Sequence, residues 1–571
     1  MPLKHEIDEQ GEYNFVIPNI EDWPIYRVGE TKAEFLEDLI ARSKEKIREL
    51  AGSPRKLHDI LARTRYLEQI RIQEEPWRVD PKDDWRFWHK KVKKVLLKSV
   101  TEHNYEKGLS PDEEAIFDTI IRRYADEIVG TFRPPTYRFA SKVLPRFLSR
   151  LLNAFSSRKF WKVDYRLKDR LKITGPLELI RELSLKGTLV VVPTHFSNLD
   201  SILVGWSLHT IGLPAFLYGA GLNLFNSRIF GYFMSRLGAY RLDRRKKNPL
   251  YMEILKMYSQ IVTERGCHSL FFPGGTRSRS GSIETRLKLG LLGTIVEAQR
   301  VNFVDPPPKY GNLTPKRGNK IFILPLVLNY HFVLEAKRLI EQHLKQSGKE
   351  KYYIDKDVFP SGIKAHKFLT SMIGERSEIL LSFGKPIDIF GHPVDAEGNS
   401  LDNNGKPIDI SNYFVSNGKM SEDKQRDEEY TRLLGEHILK QFYRYNVVIS
   451  SDLIAFIAFE ILKKRNPKLD IYGLMRLPEE ERVIDYEEFV AMVKKIRTEL
   501  NLRAKQGELQ IADHLNTDIH RLINHGLSNI GLYHTERPVR KNEAGDISSD
   551  NMNLLYYYHN RLLGYELEKL I

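Results

Sequence analysis

His195 and Asp200 lie five positions apart in one stretch, Val190-Val191-Val192-Pro193-Thr194-His195-Phe196-Ser197-Asn198-Leu199-Asp200. An imidazole held by a carboxylate can take a proton from an alcohol and so act as a general base. A satisfied structural histidine beside an ordinary helix cap would use the same residue types, and the stretch alone leaves both readings open. On a continuous helix, five steps of about 100° put two side chains roughly 140° apart, so they would not share a face. The pair can meet only if His195 lies in a turn and Asp200 in the first turn of a helix.

The surrounding elements supply that geometry. The apolar run Leu189 to Val192 reads as a buried strand that stops at Pro193. Ser197-Asn198-Leu199-Asp200 has the spacing of a capping box, with Ser197 as N-cap. Around it, from about Ile173 to Phe390, strand-like runs alternate with helical stretches: Thr188 to Val192, Leu213 to Leu217, Ser269 to Phe272, Ile321 to Leu328 and Ile379 to Phe383. This patterning predicts an α/β fold with a mixed or parallel sheet flanked by helices. His195 then falls at a sheet edge, where such folds bind ligands.

Two basic clusters follow in the same block. Gly238 to Lys247 carries Arg241, Arg244, Arg245, Lys246 and Lys247. Phe271-Phe272-Pro273-Gly274-Gly275-Thr276-Arg277-Ser278-Arg279-Ser280-Gly281 runs from an apolar strand into a glycine-rich turn. Glycines let backbone N–H groups approach a phosphate, and arginine adds forked, charge-assisted bonds. Either cluster by itself reads equally as a solvated loop. The spacing G-x-x-x-x-G-K-[ST] is absent, which excludes a nucleotide P-loop.

At 571 residues with 41% hydrophobic and 29% charged residues, the chain has globular composition and room for a large core. The net charge of +14 favours anionic partners. The single cysteine, Cys267, excludes an intrachain disulfide and reads as a buried small hydrophobe. Met1 to Asn19 lacks the apolar core of a signal peptide. The long uncharged run after Asp200 is broken by Pro214 and glycines, which argues against a spanning helix.

Outside the central block the chain reads as mostly helical. Lys32 to Leu50 and Glu106 to Ile128 contain helices with charged faces. From Tyr137 to Phe155, Arg138, Lys142, Arg146 and Arg150 recur beside an apolar stripe, a basic amphipathic pattern suited to a membrane surface. Pro145 is expected to kink that helix or start a new one. Asp395 to Asn404 predicts a hairpin with Gly/Asn turns, and Val447 to Leu462 a buried helix. The organisation is a helical region at 1–135, an α/β domain with its basic amphipathic leader at 136–390, and a hairpin plus helical region at 391–571.

In order, the His/Asp pair, the Gly238…Arg244 block, the Phe-Pro-Gly-Gly-Thr-Arg-Ser block and Pro325 within Ile323-Leu324-Pro325-Leu326-Val327 resemble the glycerolipid acyltransferases. The long glycerol-3-phosphate branch is the nearest in pattern. Ala220-Gly221-Leu222-Asn223-Leu224 and Tyr556-Tyr557-Tyr558-His559-Asn560 resemble segments of that branch, the latter with His559 in place of arginine. The resemblance covers about Thr188 to Phe390. It implies that His195 and Asp200 are the catalytic pair, and that Arg244, Gly275, Arg277, Ser278, Arg279 and Lys288 bind substrate. It implies acyl transfer from acyl-CoA or acyl-carrier protein to the sn-1 hydroxyl of glycerol 3-phosphate, or to another phosphorylated acceptor such as dihydroxyacetone phosphate or lysophosphatidate. It implies no metal or other cofactor. The basic amphipathic segment and the net charge add the expectation of a peripheral place on the cytoplasmic face of an anionic membrane. An idle lipid-binding relative with the same fold is the rival from another class. Nucleic acid is not an expected partner, since no such motif appears. The chain departs from the family pattern at Gly274, where a glutamate is usual, at Phe196, where the branch has arginine, and at Arg241, where an aromatic is usual. Gly274 is expected to leave the turn roomier and less negative.

Overall fold

The structure is a computed structural model that describes residues 13–74, 76–102, 108–153, 171–225, 228–304, 320–347, 378–532 and 534–571. Its centre is a seven-stranded sheet in the order β1 (Leu171–Thr174), β7 (Ile379–Phe383), β6 (Ile321–Tyr330), β2 (Thr188–Pro193), β5 (Ser269–Leu270), β3 (Leu217–Gly221), β4 (Ala239–Leu242). β6, β2, β5, β3 and β4 run parallel; β7 runs antiparallel to β6 and carries β1 beside it. Every residue of β2 and β6 is buried, which is why both strands are near-continuous apolar runs and not alternating ones.

Four of the five expected strands fall where the apolar runs lie. β3 does not: it is displaced from Leu213–Leu217 to Leu217–Gly221. Leu213 is used to close the preceding helix, its N–H bonding Leu208 C=O at 3.0 Å. Gly219-Ala220-Gly221 can then form a strand because packing outweighs propensity. A Cβ at Gly219 would come within 2.9 Å of the Tyr240 hydroxyl, so the missing side chain makes room for that ring. β4 lies inside the first basic cluster, where charged residues hid it.

The N-terminal helices Lys32–Ala51, Pro54–Glu74 and Pro111–Ile128 pack beside the helix Pro249–Glu264. Buried charges bind them to the end of β4. Arg71, 2% exposed at its side chain, pairs with Glu68 and Asp84, and Arg245 pairs with Asp80 and Asp243. The Lys246 ammonium bonds Glu127. Arg245 and Lys246 of the first basic cluster are therefore internal scaffolding, while Arg241, Arg244 and Lys247 are exposed. Pro134–Asn153 is one helix through Pro145, with no break there. The side chains of Arg146 and Arg150, and all of Phe155, lie outside the described residues. The expected hairpin forms from Ser400–Leu401 and Pro407–Ile408. The helix Ser450–Arg465 is buried from Ser450 to Leu462. Cys267 is buried. Among the described residues no helix is long and apolar enough to cross a membrane.

Candidate active site

β2 ends at Pro193, and the chain leaves the sheet at its carboxyl edge. Thr194 N–H still bonds Leu326 C=O of β6 at 3.0 Å. The next residue is His195. Its backbone is held on both sides by the glycine-rich turn after β5: the N–H donates to Glu284 Oε1 at 2.9 Å, and the C=O accepts from Ser278 N–H at 2.7 Å. The ring lies against Phe272, with centroids 4.1 Å apart and planes 24° from parallel.

Asp200 is the first residue of the helix Asp200–Thr210, where a carboxylate also meets the positive end of the helix dipole. Its side chain is fully buried and takes four bonds. Oδ2 lies 2.7 Å from His195 Nδ1 and accepts the N–H groups of Phe196 at 2.7 Å and Ser197 at 2.9 Å. Oδ1 accepts the Tyr330 hydroxyl at 2.5 Å. With Nδ1–H donating to Asp200, Nε2 carries the lone pair and can take a proton. The expected capping box is half formed. Asp200 does accept Ser197 N–H, but Asp200 N–H goes to the Ser197 carbonyl at 3.2 Å, and Ser197 Oγ instead accepts Leu199 N–H at 3.3 Å. The helix N-cap is Leu199, not Ser197. The carboxylate was needed for the turn, so the helix begins two residues late.

Glu335 joins the two halves of the site. It accepts Asn198 N–H at 3.0 Å and Ser197 Oγ–H at 3.2 Å from one side, and Arg277 Nη1–H at 3.3 Å from the other. Arg279 reaches Gln346 Oε1 on the helix Ala336–Ser347. Gly275 has φ +76, and a Cβ there would fall 2.5 Å from the Lys288 side chain, so the turn folds back onto Lys288. The donors of two predicted substrate binders are spent on this fold: Gly275 N–H bonds Phe272 C=O at 2.9 Å, and Ser278 uses both its N–H and its hydroxyl, the latter on Ser282 C=O at 2.8 Å. Those two residues shape the turn; Arg277 and Arg279 are its cations, and Lys288 lies against it at Gly275. Arg244 is exposed in the turn after β4. It stands on the same sheet edge three strand positions from β2, roughly 14 Å at about 4.8 Å per strand.

Gly274 does not leave the turn roomy. A Cβ there would lie 3.1 Å from Glu284 Cγ and 3.3 Å from its Oε1, so another carboxyl fills that space. Burial pushes the Glu284 carboxyl up to about 7, against the His195 N–H, which lowers it. The C-terminal segment closes the floor of the site. The Arg561 guanidinium lies 3.8 Å from the Phe196 ring centroid and donates to Leu328 C=O. Asn560 donates to Ser280 C=O at 2.9 Å. Tyr330, Glu335, Glu284 and Arg561 carry no local sequence signal, because each meets the His195 turn only through tertiary contact.

Three histidines far apart in sequence also converge: the nitrogens of His331, His514 and His525 lie within 4.8 Å of one another. Spacing gave no hint of this group. Its nitrogens serve the start of the helix Ser450–Arg465. Ser450 N–H donates to His514 Nε2 at 3.0 Å, His525 Nδ1 lies 2.8 Å from Ser450 Oγ, and His331 Nδ1 lies 2.7 Å from Ser451 Oγ. Burial holds all three rings low, His514 at about 3, so they are neutral. The bond to Ser450 leaves the His514 proton on Nδ1, so a metal ligand there would first have to break that bond. His331 follows Tyr330 directly, and the group buttresses the strand that holds Asp200.

A scan against family models matches residues 170–328 to the family described as Acyltransferase. The span contains β1 to β5, the His195 turn and most of β6. Over these residues the chain is similar to that family, in keeping with the resemblance to the glycerolipid acyltransferases. Among curated proteins it is 26% identical over 259 residues to a glycerol-3-phosphate acyltransferase of Alteromonas mediterranea, covering 45% of this chain and 27% of that protein. It is 26% identical over 295 residues to one of Pseudomonas aeruginosa, covering 52% and 30%. The matched stretch thus spans less than a third of those relatives' own length.

Proposed function

We propose that the protein transfers a fatty acyl group from a thioester, acyl-CoA or acyl-carrier protein, to the sn-1 hydroxyl of glycerol 3-phosphate, giving lysophosphatidate. The observation that carries this reading is the His195–Asp200 pair at the carboxyl edge of β2, with the aspartate held by four donors. His195 Nε2 removes the hydroxyl proton as the alkoxide oxygen attacks the thioester carbonyl. Asp200 fixes the tautomer and stabilises the imidazolium. Collapse of the tetrahedral intermediate expels the thiolate, which recovers the proton from His195. Arg277, with Arg279, Lys288 and Arg244 along the same edge, supplies the charge that a dianionic acceptor needs. The names of the relatives favour glycerol 3-phosphate; dihydroxyacetone phosphate or lysophosphatidate would use the same chemistry.

The enzyme acts as a peripheral protein on the cytoplasmic face of an anionic membrane. The support is the helix Pro134–Asn153, where Phe139 is 54% and Val143 39% exposed beside the exposed Lys142. Phe139 stacks on Phe233, next to the exposed Tyr232, which widens the apolar patch. The test of the activity is a product assay with purified protein, one radiolabelled acyl donor at a time and a panel of phosphorylated alcohols. Labelled lysophosphatidate from glycerol 3-phosphate is the expected product. Transfer to none of the panel would end this reading.

A further inference from the structure

We infer that Glu284 is a positioning residue for His195, and that its carboxyl occupies a place which a side chain from position 274 could also fill. The inference rests on the reading of His195 as the general base.

Glu284 Oε1 is the acceptor for His195 N–H, and this is the first backbone N–H after the last sheet bond of the strand exit at Thr194. Together with Ser278 N–H on the His195 carbonyl, it pins residue 195 on both sides to one turn. Asp200 fixes the ring at Nδ1, but a ring is aimed only if its backbone is fixed too. Without Glu284 the N–H is left without its acceptor, and the peptide can rotate to find another. A shift of about 1 Å at a catalytic group can cost on the order of 10²-fold in rate.

The other carboxyl oxygen, Oε2, is buried with no hydrogen-bond partner among the described residues. A half-satisfied buried carboxyl is costly, and packing alone would not require one. The charged and titratable groups facing it are Asp200 from the helix after the turn, Arg561 from the C-terminal segment and Tyr443 from the helix Lys424–Arg444, besides His195 itself. The direction of a Cβ at Gly274, 3.1 Å from Glu284 Cγ and 3.3 Å from Oε1, shows that the two positions converge on one locus. The backbone at Gly274 is not left-handed, so a side chain is sterically admissible once Glu284 is shortened.

The test compares Glu284→Ala, Glu284→Gln, and the double variant Gly274→Glu with Glu284→Ala. Steady-state kinetics are read beside thermal melts and hydrogen exchange of the peptide covering residues 194–199. Glu284→Ala should lower kcat by about 10- to 100-fold with either KM changed less than about 3-fold, and should speed exchange in that peptide. Glu284→Gln should recover most of the loss, because the amide oxygen still accepts the His195 N–H. The double variant should recover activity and slow exchange, with the carboxylate now reaching in from position 274. Wild-type kcat and exchange in Glu284→Ala would overturn the inference. So would a folded double variant no better than Glu284→Ala. If Glu284→Ala does not fold, the Gln and double variants decide: a loss of 100-fold or more in both, with wild-type melts, overturns it. The exchange readout does not depend on turnover, so a failure of the proposed activity and a failure of this clamp are told apart.

Discussion

At the scale of residues, Asp200 does two jobs with one carboxylate: it orients His195 and ties down the turn that carries it. Asp200→Asn keeps the size but leaves one oxygen for four donors, and turns an N–H group towards them. We expect kcat to fall by about 10²-fold or more, as when a catalytic histidine is left in the wrong tautomer. Asp200→Glu should do the same and also lower the melting temperature, because an extra methylene in a fully buried site costs about 1–3 kcal/mol. Full activity of either variant would reduce Asp200 to a helix cap. Glu284 makes a separate prediction about pH. Its carboxyl is raised from 4.5 to about 7 by burial. Between those values the native protein holds a proton that the unfolded chain has released, so this group lowers stability as pH rises through that window. Glu284→Gln removes the effect. The stability of Glu284→Gln relative to wild type should therefore improve from pH 5 to pH 8, by on the order of 2 kcal/mol. Denaturant melts at both pH values measure it, and an unchanged difference would mean that the carboxyl is ionised throughout.

At the scale of elements, local signals were legible and long-range ones were not. The His195–Asp200 geometry could be read because it is made within one strand, one turn and one helix start. The five-position spacing and the absence of a shared helical face already required a turn. β2 and β6 could be read because strands buried on both faces are continuous apolar runs. β3 could not, because Gly219 makes room for Tyr240, a partner on another strand. The partners Tyr330 and Glu335 could not either, being 130 and 138 positions away from the residues they bond. The two loops on the sheet edge then divide the work. The loop at 273–284 holds His195 and presents Arg277, while in the turn after β4 Arg245 and Lys246 are locked by Asp80, Asp243 and Glu127. Arg277→Ala should raise the acceptor KM at least ~10-fold and leave the donor KM nearly unchanged, since charged hydrogen bonds contribute roughly 1.5–3 kcal/mol. Arg277→Lys should recover only part, lacking the guanidinium fork. A rise confined to the donor KM would place the thioester, not the phosphate, at this turn. The helix Pro134–Asn153 has its own test. Phe139→Ser with Lys142→Gln should weaken co-sedimentation with anionic vesicles, and added salt should weaken it in wild type. Unaltered binding would move the membrane contact elsewhere.

At the scale of the whole molecule, the site is assembled from distant parts of one buried core. The N-terminal helices lock the end of β4, and the C-terminal segment brings Arg561 under Phe196 and Asn560 to the turn at Ser280. The region after the sheet thus forms the floor of the candidate site, which the sequence pattern at Tyr556–Asn560 hinted at without showing where it docks. All of this converges on one imidazole, and one comparison tests it most directly: formation of labelled lysophosphatidate from glycerol 3-phosphate and a radiolabelled acyl thioester by wild type and by His195→Ala at matched concentration and matched thermal stability. Positioned proton transfer is worth roughly 10²–10⁴-fold, so the variant should lose at least about 10²-fold in kcat while remaining folded. Wild-type turnover by His195→Ala would contradict the account at its centre.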